Sequence, residues 1–192
     1  MKGSRPLTRQ QVKGLLALTS TIREQTLLTL GFCTGYRISE LLSLKVSDVS
    51  TNGIIHSHVT VKAANTKTKT GRSVLLNADA QKALRRLVDV IGTNANGQSP
   101  LFVSRKHDAN GNLKAISRQQ AHDLLKALFA KIGEFGNVST HTLRKTFAAR
   151  IYEQTGKLEI VQIALGHKSI NSTISYLAFG NDDLNRAIMG VM

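Results

Sequence analysis

Apolar positions recur at helical spacing along most of the chain, and one internal stretch breaks that rhythm. Val12, Leu15, Leu16 and Leu18 follow helical spacing behind Thr8 and Gln11, a capping-box pair, so a first helix is predicted to open at Leu7–Gln11. A second is predicted from about Ile22 to Thr34, with Gly35 as a left-handed stop, and a short third over Arg37–Leu44. The pattern then changes. Ile54–Val61 and Arg72–Leu76 are rich in β-branched residues, and the polar, basic Lys62–Gly71 lies between them, which reads as a hairpin or small antiparallel sheet. Ala78–Ile91 returns to an amphipathic helix. Gly92–Pro100 is a polar loop, the best linker candidate but too short to divide the chain. Ser117 and Gln120 form a second capping box for a helix through about Ile132. Further helices are predicted from Thr140 to near Gly156, over Leu158–Leu165, and from about Asn171 to Phe179, closed by Gly180. Asp182 is placed to cap a last one through Met189, with Leu184, Ile188 and Met189 on its apolar side. The fold class expected is α+β, mainly α-helical, with one small antiparallel sheet inserted near residues 54–76, in a single domain over residues 1–192.

Charge changes this picture more than composition does. The chain has 192 residues and is 41% hydrophobic, enough for a packed core. Its 26 Lys and Arg face only 12 Asp and Glu, a formal charge of +14 that points to a polyanionic partner. The cations are placed. Val49–Ala78 holds no acid but contains His56, His58, Lys62, Lys67, Lys69 and Arg72, and the acid-free span between Glu134 and Glu153 holds His141, Arg144, Lys145 and Arg150. Basic residues unpaired by local acids suit contact with phosphates. The few scattered carboxylates argue against a nuclease that clusters acids around two metals. With Cys33 as the only cysteine, a disulfide framework and a multi-cysteine zinc site are excluded. No stretch approaches the roughly 20 apolar residues of a membrane span, and the N-terminus carries no apolar signal segment, so a cytoplasmic protein is expected.

Several side chains have ordinary explanations. Cys33 sits on an apolar helix and reads as core packing. His56 and His58 alternate along an expected strand and so share a face, but no third ligand lies nearby, and no metal site is assigned. Tyr152 lies roughly 16 Å along its helix from His141 and reads as core. Tyr36 adjoins Arg37 through the backbone.

Five local frames remain. Arg37 lies in Thr34-Gly35-Tyr36-Arg37-Ile38-Ser39-Glu40-Leu41-Leu42, and Lys69 lies in Thr66-Lys67-Thr68-Lys69-Thr70-Gly71-Arg72. His141-Thr142-Leu143-Arg144 puts an imidazole and a guanidinium on one helix face. His167 lies in Leu165-Gly166-His167-Lys168-Ser169, and Tyr176 follows in Ile174-Ser175-Tyr176-Leu177. In this order, with this spacing, the set resembles the catalytic domain of the tyrosine recombinases, the phage-integrase family, over about Leu7 to Phe179.

The resemblance implies the tyrosine-recombinase catalytic fold and a site-specific recombinase acting on double-stranded DNA. Tyr176 would attack a phosphodiester, giving a 3′-phosphotyrosine and a free 5′-hydroxyl, and a second 5′-hydroxyl would reseal the strand. The bond energy is kept, so neither ATP nor a metal is implied, and no cofactor is expected. Arg37 and Arg144 would clamp the non-bridging oxygens, a task suited to planar, permanently charged forks. By the same resemblance, His141 accepts or relays the tyrosine proton, His167 bonds the scissile phosphate, and Glu40 orients its neighbours. Lys69 resembles the lysine that protonates the leaving oxygen because it precedes Thr70-Gly71, with Lys67 as the rival. Lys62, Lys67, Arg72, Lys145 and Lys168 are expected to contact DNA.

The family's N-terminal core-binding domain has no room before residue 7, which fits either an excised fragment or a naturally short member. Integration, excision, inversion or resolution of mobile or phase-variable DNA is expected. So is a homotetramer on synapsed DNA, with a monomer possible without DNA and with accessory DNA-bending proteins as further partners. The terminal helix would pack on a neighbour or on its own core. Two alternatives stand beside this: a non-catalytic DNA-binding or architectural module of the same fold, and a type IB topoisomerase-like enzyme that uses the same chemistry to relax supercoils without strand exchange.

Overall fold

A computed structural model describes residues 4–65, 71–92, 97–107, 110–134, 138–177 and 189. The described chain is mainly helical, with short antiparallel strand pairs inserted between helices. It divides into two compact units, Met1–Phe147 and Ala148–Met192.

The first unit opens with α1 (Arg9–Ala17), where Gln11 N–H donates to Thr8 Oγ1 at 3.2 Å and Thr8 N–H donates to Gln11 Oε1 at 2.8 Å. α2 (Ile22–Thr34) is capped by Thr21 and stops at Gly35, which adopts φ 59°, ψ 22°. Such a left-handed stop favours glycine. Thr26–Gly31 is buried without a break, so α2 is a central helix and not a surface one. α3 (Ile38–Leu42) and α4 (Val46–Val49) follow as short helical turns.

β1 (Ser50–Thr51) pairs with β2 (Ile54–Ile55) around Asn52 (φ 50°) and Gly53 (φ 77°). β3 (His58–Val61) pairs with β4 (Arg72–Leu75), matching Val59 with Val74 and Val61 with Arg72. The alternation of β3 buries Val59 and Val61 and exposes His58 and Thr60. α5 (Ala78–Ile91), capped by Asn77, packs on α2 through its buried stripe of Ala80, Leu84 and Leu87. Gly97–Leu101 is tied to Leu44–Ser47 by Val46 N–H to Ser99 O, Ser47 N–H to Gly97 O and Leu101 N–H to Leu44 O. β5 (Val103–His107) and β6 (Leu113–Ala115) form a further pair before α6 (Arg118–Lys131), whose capping box is Ser117 and Gln120.

α7 (Thr140–Thr155) begins in the first unit. Its first turns meet α2 at two glycines. A Cβ on Gly31 would stand 2.7 Å from Leu143 Cδ1, and one on Gly35 would collide with the Phe147 ring. The second unit holds α8 (Leu158–Leu165), which ends on left-handed Gly166, and α9 (Ile170–Leu177). Among the described residues, no helix is long and apolar enough to cross a membrane.

The mainly helical α+β expectation holds, with three strand pairs among the described residues where one sheet was expected. The strand expected over Ile54–Val61 is broken at His56 and Ser57, so the two histidines do not lie on one strand. The end of the helix expected to reach Phe179, and the final helix with Leu184 and Ile188, lie outside the described residues; Met189 is helical and exposed.

Gly35→Ala is expected to lose about 3 kcal/mol in urea unfolding, because it combines a left-handed backbone with overpacking against Phe147. Gly53→Ala has the backbone penalty alone, since nothing lies within 4 Å of a Cβ there, and is expected to lose about 1 kcal/mol. Equal losses would contradict the packing argument.

Candidate active site

The end of α2 creates the first cluster. Gly35 reverses the chain, so Arg37 stands at the N-cap of α3 with Glu40 one turn on. Glu40 is 3% exposed, and a buried carboxylate needs partners. It has them: Oε2 accepts the Arg37 backbone N–H at 2.7 Å, and Oε1 accepts Arg37 Nη1 at 2.8 Å. Arg144 arrives from α7 with its side chain 2% exposed. Its Nη1 donates to Gly35 O at 2.5 Å and lies 4.0 Å from Glu40 Oε2. The structure therefore brings Arg37, Glu40 and Arg144 together, two guanidiniums around one carboxylate.

His141 lies one turn before Arg144 on an exposed position of α7. Its backbone N–H donates to Ser139 Oγ at 3.1 Å. Partial burial lowers its pKa below the usual 6.5, helped by the positive charges of Arg144, Arg37, Lys145 and Arg118. The imidazole is thus biased toward its neutral, proton-accepting form. Lys145 is half-buried, and burial lowers its pKa as well. Arg118, the first residue of α6, was not singled out from the sequence. Ser117 marked the helix start there, but only the folded chain brings that position within electrostatic reach of His141.

The β3–β4 hairpin carries the expected lysines. Lys62 is exposed just after β3, whereas Lys67 and Lys69 lie outside the described residues. Arg72 is turned inward. Its guanidinium carbon stands 4.2 Å above the Tyr36 ring, and Nη2 donates to Thr34 O at 2.9 Å. Burial pushes its pKa down. Tyr36 is 1% exposed, and burial pushes its phenol up to about 12. Tyr152 is half-buried on α7.

In the second unit, His167 follows Gly166. Its N–H donates to Gln162 O at 3.0 Å, and its carbonyl accepts from Gln162 Nε2 at 3.1 Å. These bonds fix the backbone, and the ring lies with Nδ1 3.1 Å from Thr173 Oγ1. Tyr176, one turn past Thr173 on α9, meets the His167 ring edge-on at 5.5 Å and 82°. Its ring is half-buried, and its hydroxyl oxygen is shielded from solvent. The structure therefore pairs His167 with Tyr176. Lys168 is exposed beside them.

His56 Nε2 lies 2.9 Å from Thr51 Oγ1, while His58 Nδ1 lies 3.1 Å from Ser57 Oγ, so the two rings have separate local partners. Cys33 packs against the apolar core, and burial raises its pKa, as befits an inert thiol.

Comparison with known proteins places the sequence and the fold. The sequence is 31% identical over 160 residues to tyrosine recombinase XerD of Oceanobacillus iheyensis, covering 81% of this chain and 50% of that protein. It is 32% identical over 181 residues to tyrosine recombinase XerC of Roseiflexus sp., covering 90% of this chain and 54% of the other. The chain spans about half the length of these relatives. Its fold is similar to the crystal structure of XerA recombinase, with a TM-score of 0.77 and 25% identity over 97% of this chain and 65% of that one. It is also similar in fold to the XerH site-specific recombinase in a post-cleavage complex with palindromic difH DNA, with a TM-score of 0.73 and 24% identity over 97% of this chain and 53% of that one. The phage integrase family profile matches residues 5–181, nearly the whole sequence, and the chain belongs to that family.

Proposed function

We propose that this chain is a site-specific DNA recombinase that cuts and rejoins strands through a 3′-phosphotyrosine. The observation that carries this reading is the pair of guanidiniums gathered around buried Glu40. Two planar, permanently charged forks held at fixed positions suit the non-bridging oxygens of a phosphodiester. A phosphoryl-transfer transition state spreads negative charge over the non-bridging oxygens, and fixed donors aimed at that charge are usually the largest catalytic term.

In this mechanism Arg37 and Arg144 hold the scissile phosphate, and His167 bonds one of its oxygens. Tyr176 Oη attacks phosphorus while its proton passes to neutral His141. The P–O5′ bond breaks as the new O–P bond forms, and Lys69, with Lys67 as its rival, protonates the departing 5′-oxygen. Resealing runs the same steps backward with the 5′-hydroxyl of another strand. Glu40 holds the guanidinium planes and takes no proton. Lys62, Lys67, Arg72, Lys145 and Lys168 contribute the positive field that draws DNA, and Arg118 joins them. A homotetramer on synapsed duplexes accounts for paired strand exchange.

A nicked suicide duplex, recovered from a randomised pool by covalent capture on the wild-type chain, tests this directly. A protein–DNA covalent band is expected in EDTA, and Tyr176→Phe is expected to abolish it. A band surviving that change would remove the nucleophile, and a magnesium requirement would overturn the mechanism. Plasmid relaxation without joined product would instead favour topoisomerase-like action.

The same assay has a pH signature. A lowered His141 pKa keeps the imidazole neutral further into acid. The acidic limb of single-turnover cleavage should therefore be centred below pH 6.5, because protonation removes the acceptor. An acidic limb centred above 6.5 would contradict the role given to His141.

A further inference from the structure

Tyr36 directly precedes Arg37, yet its side chain leaves the arginine turn and enters the hairpin. The hydroxyl lies 2.8 Å from Val59 O and 2.7 Å from Arg72 O. Val59 belongs to β3 and Arg72 to β4, so one phenol bridges the two strands of the ladder. It has a single proton, which serves the two carbonyls alternately or in a three-centre bond. Arg72 ties the hairpin back in the other direction. Its guanidinium covers the Tyr36 ring at 4.2 Å, and its Nη2 reaches Thr34 O, the last carbonyl of α2, at 2.9 Å. The Tyr36 backbone N–H also meets Thr34 Oγ1 at 3.3 Å.

Two strands of four residues are marginal as an isolated hairpin and need an outside anchor. Here the anchor is the segment that also presents Arg37. Proton donation to a leaving oxygen requires heavy atoms about 3 Å apart, and small displacements are costly in rate. A link between the hairpin base and the arginine turn would therefore fix two parts of the reaction relative to each other.

We propose that Tyr36 and Arg72 are positioning residues that lock the base of the β3–β4 hairpin to the Arg37 turn, so that protonation of the leaving 5′-oxygen depends on them. This assigns Arg72 an internal task in addition to its charge. It rests on the reading of a hairpin lysine, Lys69 or its rival Lys67, as the proton donor.

The test uses Tyr36→Phe, which keeps the ring and the stack but removes the hydroxyl, and Arg72→Lys, which keeps the charge but loses the fork. Each is assayed on two forms of the captured suicide duplex, one with the ordinary bridging 5′-oxygen and one with sulfur in its place. Sulfur departs as a thiolate and needs no proton. Both variants should cleave the oxygen duplex about 10-fold more slowly and the sulfur duplex within about 2-fold of wild type. Amide hydrogen exchange at Val59–Val61 and Arg72–Val74 should rise in both variants, while that at Leu27–Leu30 in α2 stays fixed. Equal slowing on both duplexes, no slowing on either, or unchanged hairpin exchange would overturn the lock. Lys69→Ala and Lys67→Ala, run alongside, judge the underlying reading separately. If both slow the two duplexes equally, the proton-donor assignment fails, and the dependence of leaving-group protonation on Tyr36 and Arg72 fails with it. Raised hairpin exchange in the Tyr36 variant would then still show the physical lock.

Discussion

Glu40 has almost no water to solvate its charge, so the protein has to meet that charge itself. It does so with the Arg37 backbone amide, the Arg37 guanidinium and, at longer range, the Arg144 guanidinium. Removing any of these would leave a buried carboxylate short of partners, at a cost of several kcal/mol by the usual measure of broken buried pairs. The arrangement in turn depends on how closely α7 can approach α2. Gly31 accepts Leu143 and Gly35 accepts Phe147, and between these two contacts Arg144 reaches the Gly35 carbonyl. Two missing side chains on one helix thus decide where a guanidinium on another helix ends up.

The same turn serves three purposes. Gly35 ends α2 in a left-handed conformation, its carbonyl receives Arg144, and the chain beyond it delivers Tyr36 inward and Arg37 to the N-cap of α3. Arg72 and Tyr36 then join this turn to the hairpin. The electrostatic result is a concentration of positive charge that lowers the His141 pKa, after burial has already done so. The imidazole biased toward its neutral form and the pair of guanidiniums are therefore products of one local geometry.

Much of this was legible in the sequence because the signals are local. Thr8 with Gln11, and Ser117 with Gln120, marked helix starts through side chains that satisfy free amides. Gly35 marked a helix stop, and the three-residue spacing of His141 and Arg144 fixed their common face. What escaped was either very short or settled by distant contacts. Asn52-Gly53 is a strong hairpin signal, but its flanking strands have only two residues each, too few for any periodicity to register. Val103–His107 carries Arg105, Lys106 and His107 where an alternating strand would show apolar residues, so β5 left no pattern. His56 looked like a strand residue because its neighbours are β-branched, whereas the ladder breaks there. Arg72 read as one more surface cation in a basic run. Only the folded chain, with the Tyr36 ring beneath it, shows why it turns inward.

We propose that Arg37 and Arg144 act on one phosphate as a unit. A double-mutant cycle on single-turnover cleavage, using Arg37→Lys, Arg144→Lys and the combined variant, measures this most directly. Each change keeps a cation and removes a fork, so the clamp reading predicts a double variant little slower than the worse single one, with a coupling of about 2 kcal/mol. Losses that add to within about 0.5 kcal/mol would mean that the two guanidiniums act independently and form no common clamp.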